Sequence, residues 1–205
     1  MARKNKEEAL ATRSAILDAA EIVFQERGVS KASLAEIAAA AGVTRGAVYW
    51  HFANKVEVFD AMVQRVFGLM EAKLEELQKE RHDDDPVELM RELSLYFLDR
   101  LANDPHYFRI INISWHKCEY VGEMAEICDK HLEHGKRFLD ISMAAFQTSR
   151  ERGHLSLRVD PRTAAIGLMA VVDGLITNWM LYRPVFSLVD TGAEIIDNYL
   201  LGLRS

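Results

Sequence analysis

LAEIAAAAGVTRGAVYWHFA, residues 34–53, carries the spacing of two short helices joined by a tight turn. Helices that cross steeply need a small residue at the crossing, a glycine in the turn and an apolar residue one turn further on. Ala38, Gly42 and Val48 occupy those places. Gly42 can adopt the left-handed backbone that ends the first helix within one residue. Thr44 can then cap the second helix with its hydroxyl. That second helix, residues 45–51, carries Arg, Tyr, Trp and His where an ordinary surface helix alternates solvating charges. Such side chains suit a helix lying in the major groove of DNA.

The pattern continues on both sides. Upstream, Thr12 and Arg13 precede Ile16, Leu17, Ala20 and Phe24, apolar at helical spacing, and the stretch ends at Gly28; downstream come His51, Phe52, Lys55 and Phe59. Over about the first 60 residues these ordered positions resemble the TetR family of bacterial transcriptional regulators. Within it, VTRGAVYWHF and the later HKCE and DGLI are similar to the AcrR-type repressors of multidrug efflux pumps. The resemblance implies DNA contacts at Thr44, Tyr49, His51 and Lys55. It also implies a pocket in the remaining body for lipophilic, often cationic or aromatic, compounds.

The chain of 205 residues, 49% hydrophobic, can bury a sizeable core in one or two domains. Its net charge of -6 is unevenly placed. Residues 1–60 hold eight Lys/Arg and eight Asp/Glu, so the remainder, with 17 against 23, carries the whole deficit. Arg3, Lys4, Lys6, Arg13, Lys31, Arg45 and Lys55 can line one surface of the neutral part, which is what approach to phosphate requires. The opening MARKNKEEALATR lacks the apolar core of a signal peptide, and the longest apolar candidate, residues 164–180, is broken by Asp173 and Asn178. Two cysteines, Cys118 and Cys128, are too few for a disulfide framework. A cytoplasmic protein with no membrane partner is expected.

The prolines punctuate helices. Asp85-Pro86, Asp104-Pro105 and Asp160-Pro161 each set a capping carboxylate before a proline suited to the first helical position, and Pro184 closes the helix begun at Pro161. No stretch alternates with strand period. The expected fold is therefore all-α, with about nine helices near 7–27, 34–41, 45–51, 55–80, 86–102, 105–116, 122–151, 161–182 and 188–203, and RHDDD at 81–85 a solvated turn. A helix-turn-helix head over 1–54 and a ligand-binding and dimerisation body over 55–205 are expected, the fourth helix belonging to both.

Sequence readout needs side chains that reach base edges, while register comes from phosphate contacts. Arg45 suits a bidentate bond to guanine, Ala47 and Tyr49 suit thymine methyls or backbone, and Gly46 permits close approach. Lys55, Ser33, Thr44, Trp50 and His51 are phosphate candidates, with Trp50 alternatively packed against the fourth helix. Ile37, Val48 and Phe52 read as core.

In the body, TAAIGLMAVVDGLITNWML is apolar nearly all round and AEIIDNYLLGL has an apolar stripe. A helix apolar on every face must be covered on every face, so these two helices are expected to meet their copies across a two-fold axis. Met90, Phe97, Phe108, Met143, Met169 and Ile176 sit on apolar faces with three polar groups, Asn112, His116 and Asp173. Unpartnered burial would cost each a few kcal/mol. They satisfy one another, or they line a small-molecule pocket of the usual apolar kind with a few polar groups.

Cys128, His131 and His134, with His116 and Cys118 nearby, are metal-ligand types, but i to i+6 on a helix swings about 600° and separates the first from the last. No nucleophile elbow, P-loop or dinucleotide fingerprint occurs, so neither an enzyme nor a cofactor is expected. The reading is a homodimeric repressor of a multidrug-efflux operon that binds double-stranded operator DNA and is released by small lipophilic inducers. The alternative is a regulator of the same kind sensing a metabolite, an acyl-CoA or a metal ion.

Overall fold

The computed structural model describes residues 2–80, 85–156, 158–182 and 185–204, and within them the side chains of all but 2–5, 123, 126–132 and 134. Arg3, Lys4, Cys128, His131, His134, Pro184 and residues 81–84, all singled out above, lie outside the described residues or side chains. The described residues form α1 (Ala2–Arg27), α2 (Leu34–Ala40), α3 (Arg45–His51), α4 (Lys55–Glu80), α5 (Pro86–Asn103), α6 (Pro105–His116), α7 (Ala125–Glu151), α8 (Pro161–Leu181) and α9 (Leu188–Leu201). Among them there is no strand, only an isolated bridge between Leu155 and Arg204. Two departures from the expected bounds have local causes. α1 begins at Ala2 because its first residues are good helix formers with no breaker among them. The chain before α7 makes a short 3-10 turn, Gly122–Met124, where Gly122 has φ 58.

By packing, the chain divides into residues 1–67 with 106–130, and residues 68–105 with 131–205. α4 contributes residues to both units, and α6 belongs to the first, where its side chains bond to α1.

In the first unit Ile16, Leu17, Ala20 and Phe24 form the buried stripe of α1. Ile37, Ala38, Val48, Phe52 and Phe59 complete this core, and the Phe24 ring meets Phe59 edge-on at 5.9 Å. Gly42 has φ 66 and ends α2 as the turn requires. The loop after α1 is tied to the end of α6 by the Val29 amide, which donates to the Lys117 carbonyl at 2.9 Å.

In the second unit Asp85 caps α5 through the Val87 amide at 3.1 Å, and Asp160 caps α8 through the Thr163 amide at 2.8 Å. Asp104 closes α5 and directly precedes α6, and its carboxylate also pairs with Arg100. α9 packs on α5 and α8 at two glycines. A Cβ on Gly192 would lie 2.6 Å from Leu98 Cδ1, and one on Gly167 would lie 2.1 Å from the Tyr199 hydroxyl. That hydroxyl donates to the Ala164 carbonyl at 2.8 Å, and burial raises it above the usual phenol range. Arg91 and Asp197 pair across α5 and α9.

α8 departs from expectation in one respect: by length and composition it is long and apolar enough to cross a membrane, despite Asp173 and Asn178. This chain leaves part of its apolar surface uncovered, with Ile166 42% exposed and Leu181 63%. On α9, Ile195 and Leu201 are likewise exposed.

Candidate functional site

α3 has seven residues, and buried Val48 fixes which way each points. With that residue seated against the core, Arg45, Gly46, Tyr49 and Trp50 are exposed and Ala47 is half-buried. Tyr49 is 59% exposed and Trp50 72%, so Trp50 does not pack into α4, and its indole meets the His51 ring edge-on at 4.5 Å. Thr44 accepts the Ala47 amide at 3.1 Å and so caps α3 as expected. Ser33 is the N-cap of α2: its hydroxyl donates to Glu36 at 2.8 Å and accepts the Glu36 amide at 3.3 Å. The Ser33 hydrogen bonds hold the Glu36 carboxyl below its usual range.

Lys55 has its ammonium 2.9 Å from the Ser30 carbonyl, to which it donates, so it pins the start of α4 to the loop after α1. Burial first, and the Arg13 charge second, pull His51 below the usual imidazole value. Sequence reading missed the role of Arg13, whose guanidinium lies over the Phe52 ring at 5.0 Å.

The remaining candidates fall into both units. Phe108, Asn112 and His116 stand on α6 in the first unit: Phe108 is half-buried, Asn112 donates to Gln25 at 2.9 Å, and His116 is exposed. In the second unit Phe97, Met143 and Met169 are half-buried. Met90 and Ile176 have no accessible surface, so in this form they are core and not cavity lining; Met90 sulfur is 3.3 Å from the Ser142 hydroxyl. Asp173 is open to solvent, yet protein surrounds it closely enough that burial raises its carboxyl above the usual range.

Two family models match this chain. Bacterial regulatory proteins of the tetR family match over residues 16–62, and the C-terminal region of MAATS-type transcriptional repressors matches over residues 85–204. The chain belongs to the TetR family. It is 36% identical over 204 residues to the transcriptional repressor BepR of Brucella suis, covering 99% of this chain and 97% of that one. NalD, the secondary repressor of the MexAB-OprM multidrug efflux pump in Pseudomonas aeruginosa, superposes with a TM-score of 0.85 at 33% identity, covering 97% of this chain and 98% of NalD. SmeT in complex with triclosan superposes with a TM-score of 0.83 at 31% identity, covering 95% and 92%.

The same TetR-family head holds a group of side chains that the sequence pattern passed over. Glu21 is 0% exposed. Its carboxylate accepts from Arg65 at 3.2 Å, from Arg109 at 3.1 Å and from His106 Nδ1 at 2.8 Å. Asp18, Glu21 and His106 bring three ligand-type atoms within 4.8 Å of one another, as a metal site would. The two guanidiniums already neutralise both carboxylates, and they would repel a cation at that point. The group is an ion-pair network. Its signal in the sequence is a carboxylate on the apolar stripe, between Leu17 and Phe24.

Proposed function

We propose that this TetR-family regulator is a cytoplasmic homodimer that represses a multidrug-efflux operon, contacts operator DNA through Ser33, Thr44, Arg45, Gly46, Ala47, Tyr49, Trp50, His51 and Lys55, and is released by small lipophilic compounds. The observation that carries the reading is α3 itself, which exposes Arg45, Tyr49 and Trp50 while Val48 anchors it. NalD and SmeT support the operon class and the ligand class. The test is binding of the purified protein to a duplex selected from a randomised library and to its scrambled counterpart. Equal affinity for the two would overturn the reading.

The ligand site assigned to the second unit draws on Phe97, Met143, Met169 and Asp173, with Asp173 serving cationic ligands. A carboxyl raised in the folded state opposes folding as pH climbs past its unfolded value of about 3.9. Asp173→Asn removes that opposition and keeps the shape. The melting temperature at pH 7 should be unchanged or slightly higher, while release from DNA by tetraphenylphosphonium, an aromatic cation that does not intercalate, weakens and release by neutral triclosan persists. A lowered melting temperature with unaltered tetraphenylphosphonium response would make Asp173 a structural residue.

Dimerisation is assigned to α8 and α9, whose Ile166, Leu181, Ile195 and Leu201 are left open by this chain. Leu200 and Ile176 are buried inside the protomer, so charges there would report on folding alone. Ile195→Asp leaves the protomer core intact and puts an unpaired ion into the interface. Sedimentation should show a dimer at micromolar concentration for the natural chain and a folded monomer for the variant; a monomeric natural chain that still binds DNA fully would exclude this interface.

A further inference from the structure

We propose that Glu21 is a positioning residue through which α6 sets the placement of α1, and with it the affinity of the helix-turn-helix for DNA. The DNA clause rests on the function proposed above. Three helices meet at this carboxylate: α1 presents it, α4 supplies Arg65, and α6 supplies His106 and Arg109. Arg65 is also bound along α1, to Asp18 at 2.5 Å and to the Ser14 carbonyl and hydroxyl at 3.0 Å each. Ser14, Asp18 and Glu21 follow one another at helical spacing, so a single guanidinium grips two turns of α1.

Stability alone would not select this arrangement. A buried ion network is often no more stable than apolar side chains of the same volume, whereas breaking one of its partners leaves an uncompensated buried charge. Its distinguishing property is geometric. Charge-assisted hydrogen bonds are lost on displacements that apolar packing tolerates.

Placement in the chain gives that property a use. The chain leaves the first unit after Phe67 and returns to it at His106. Arg65 stands just before the exit and His106 at the re-entry, and both are held by Glu21. A shift of α4 or α6 at either crossing must therefore carry α1 with it or break a bond to the same buried carboxylate.

Full-length protein carrying Glu21→Gln, Arg109→Met or both is measured for affinity to the selected duplex, and for backbone amide exchange in the absence of DNA. Glu21→Gln and Arg109→Met should each weaken binding about tenfold at a temperature where helix content is unchanged. The double variant should bind no more weakly than either single, because both remove one interaction. Exchange should quicken along α6 in Glu21→Gln, on a helix that is no part of the helix-turn-helix.

Affinities within twofold of the natural chain, or losses that simply add, would overturn the proposal. If the natural chain prefers no duplex, the repressor reading fails, and exchange alone decides: faster exchange in α6 supports the link from α1 to α6, and unchanged exchange overturns it. Should Glu21→Gln fold poorly, His106→Ala and Arg109→Met carry the same test. His106 is exposed, and exchange should then quicken in α1 around residues 18–25 if the link holds and stay unchanged if it does not.

Discussion

Arg45→Ala is expected to cost about 1–3 kcal/mol at each half-site and to relax base preference at one position. In the proposed dimer, with two half-sites read, the loss would double to about 2–6 kcal/mol, roughly thirtyfold to more than ten-thousandfold in affinity. Arg45 opens α3 directly after the Thr44 cap, is exposed, and follows a turn fixed by Gly42. Nothing in the protein has to move for its guanidinium to reach out. Lys55→Ala should behave differently, weakening selected and scrambled duplexes alike and lowering the salt slope by about 1 per half-site. Titrations of both variants at several salt concentrations separate the two roles. An Arg45→Ala protein that keeps full discrimination between the duplexes would assign base readout to another residue.

Phe24→Ala is expected to destabilise the protein by about 3–5 kcal/mol. The ring is 0% exposed and has its edge-on partner Phe59 at 5.9 Å, so truncation loses burial, an aromatic pair and the seam between α1 and α4 together. Urea denaturation should show a lower midpoint with little change in slope. A loss below about 1.5 kcal/mol would mean that the head closes over the gap.

Much of the fold was legible because its signals are local. Thr44, Asp85 and Asp160 cap amides two or three residues away, and Gly42 reverses the chain by its own φ, so each is readable from a few neighbours. Glu21 was not legible in that way. Its partners lie 44, 85 and 88 residues along the chain, and helical periodicity names the face of a side chain without naming the helix that covers it. The same limit applies to the polar residues grouped from sequence: Asn112 finds Gln25 on α1, while Asp173 belongs to the other packing unit. Exposure of Ile166 and Leu181 on α8 was legible in part, since an all-apolar helix announces that something must cover it.

α4 is one unbroken helix of 26 residues, about 39 Å from end to end. A helix of that length acts as a lever: a tilt of about 5° about one end carries the other through about 3.4 Å, the rise of a single nucleotide along a DNA strand. Within this single helix, then, a tilt of a few degrees is already a displacement on the scale at which successive nucleotides are spaced.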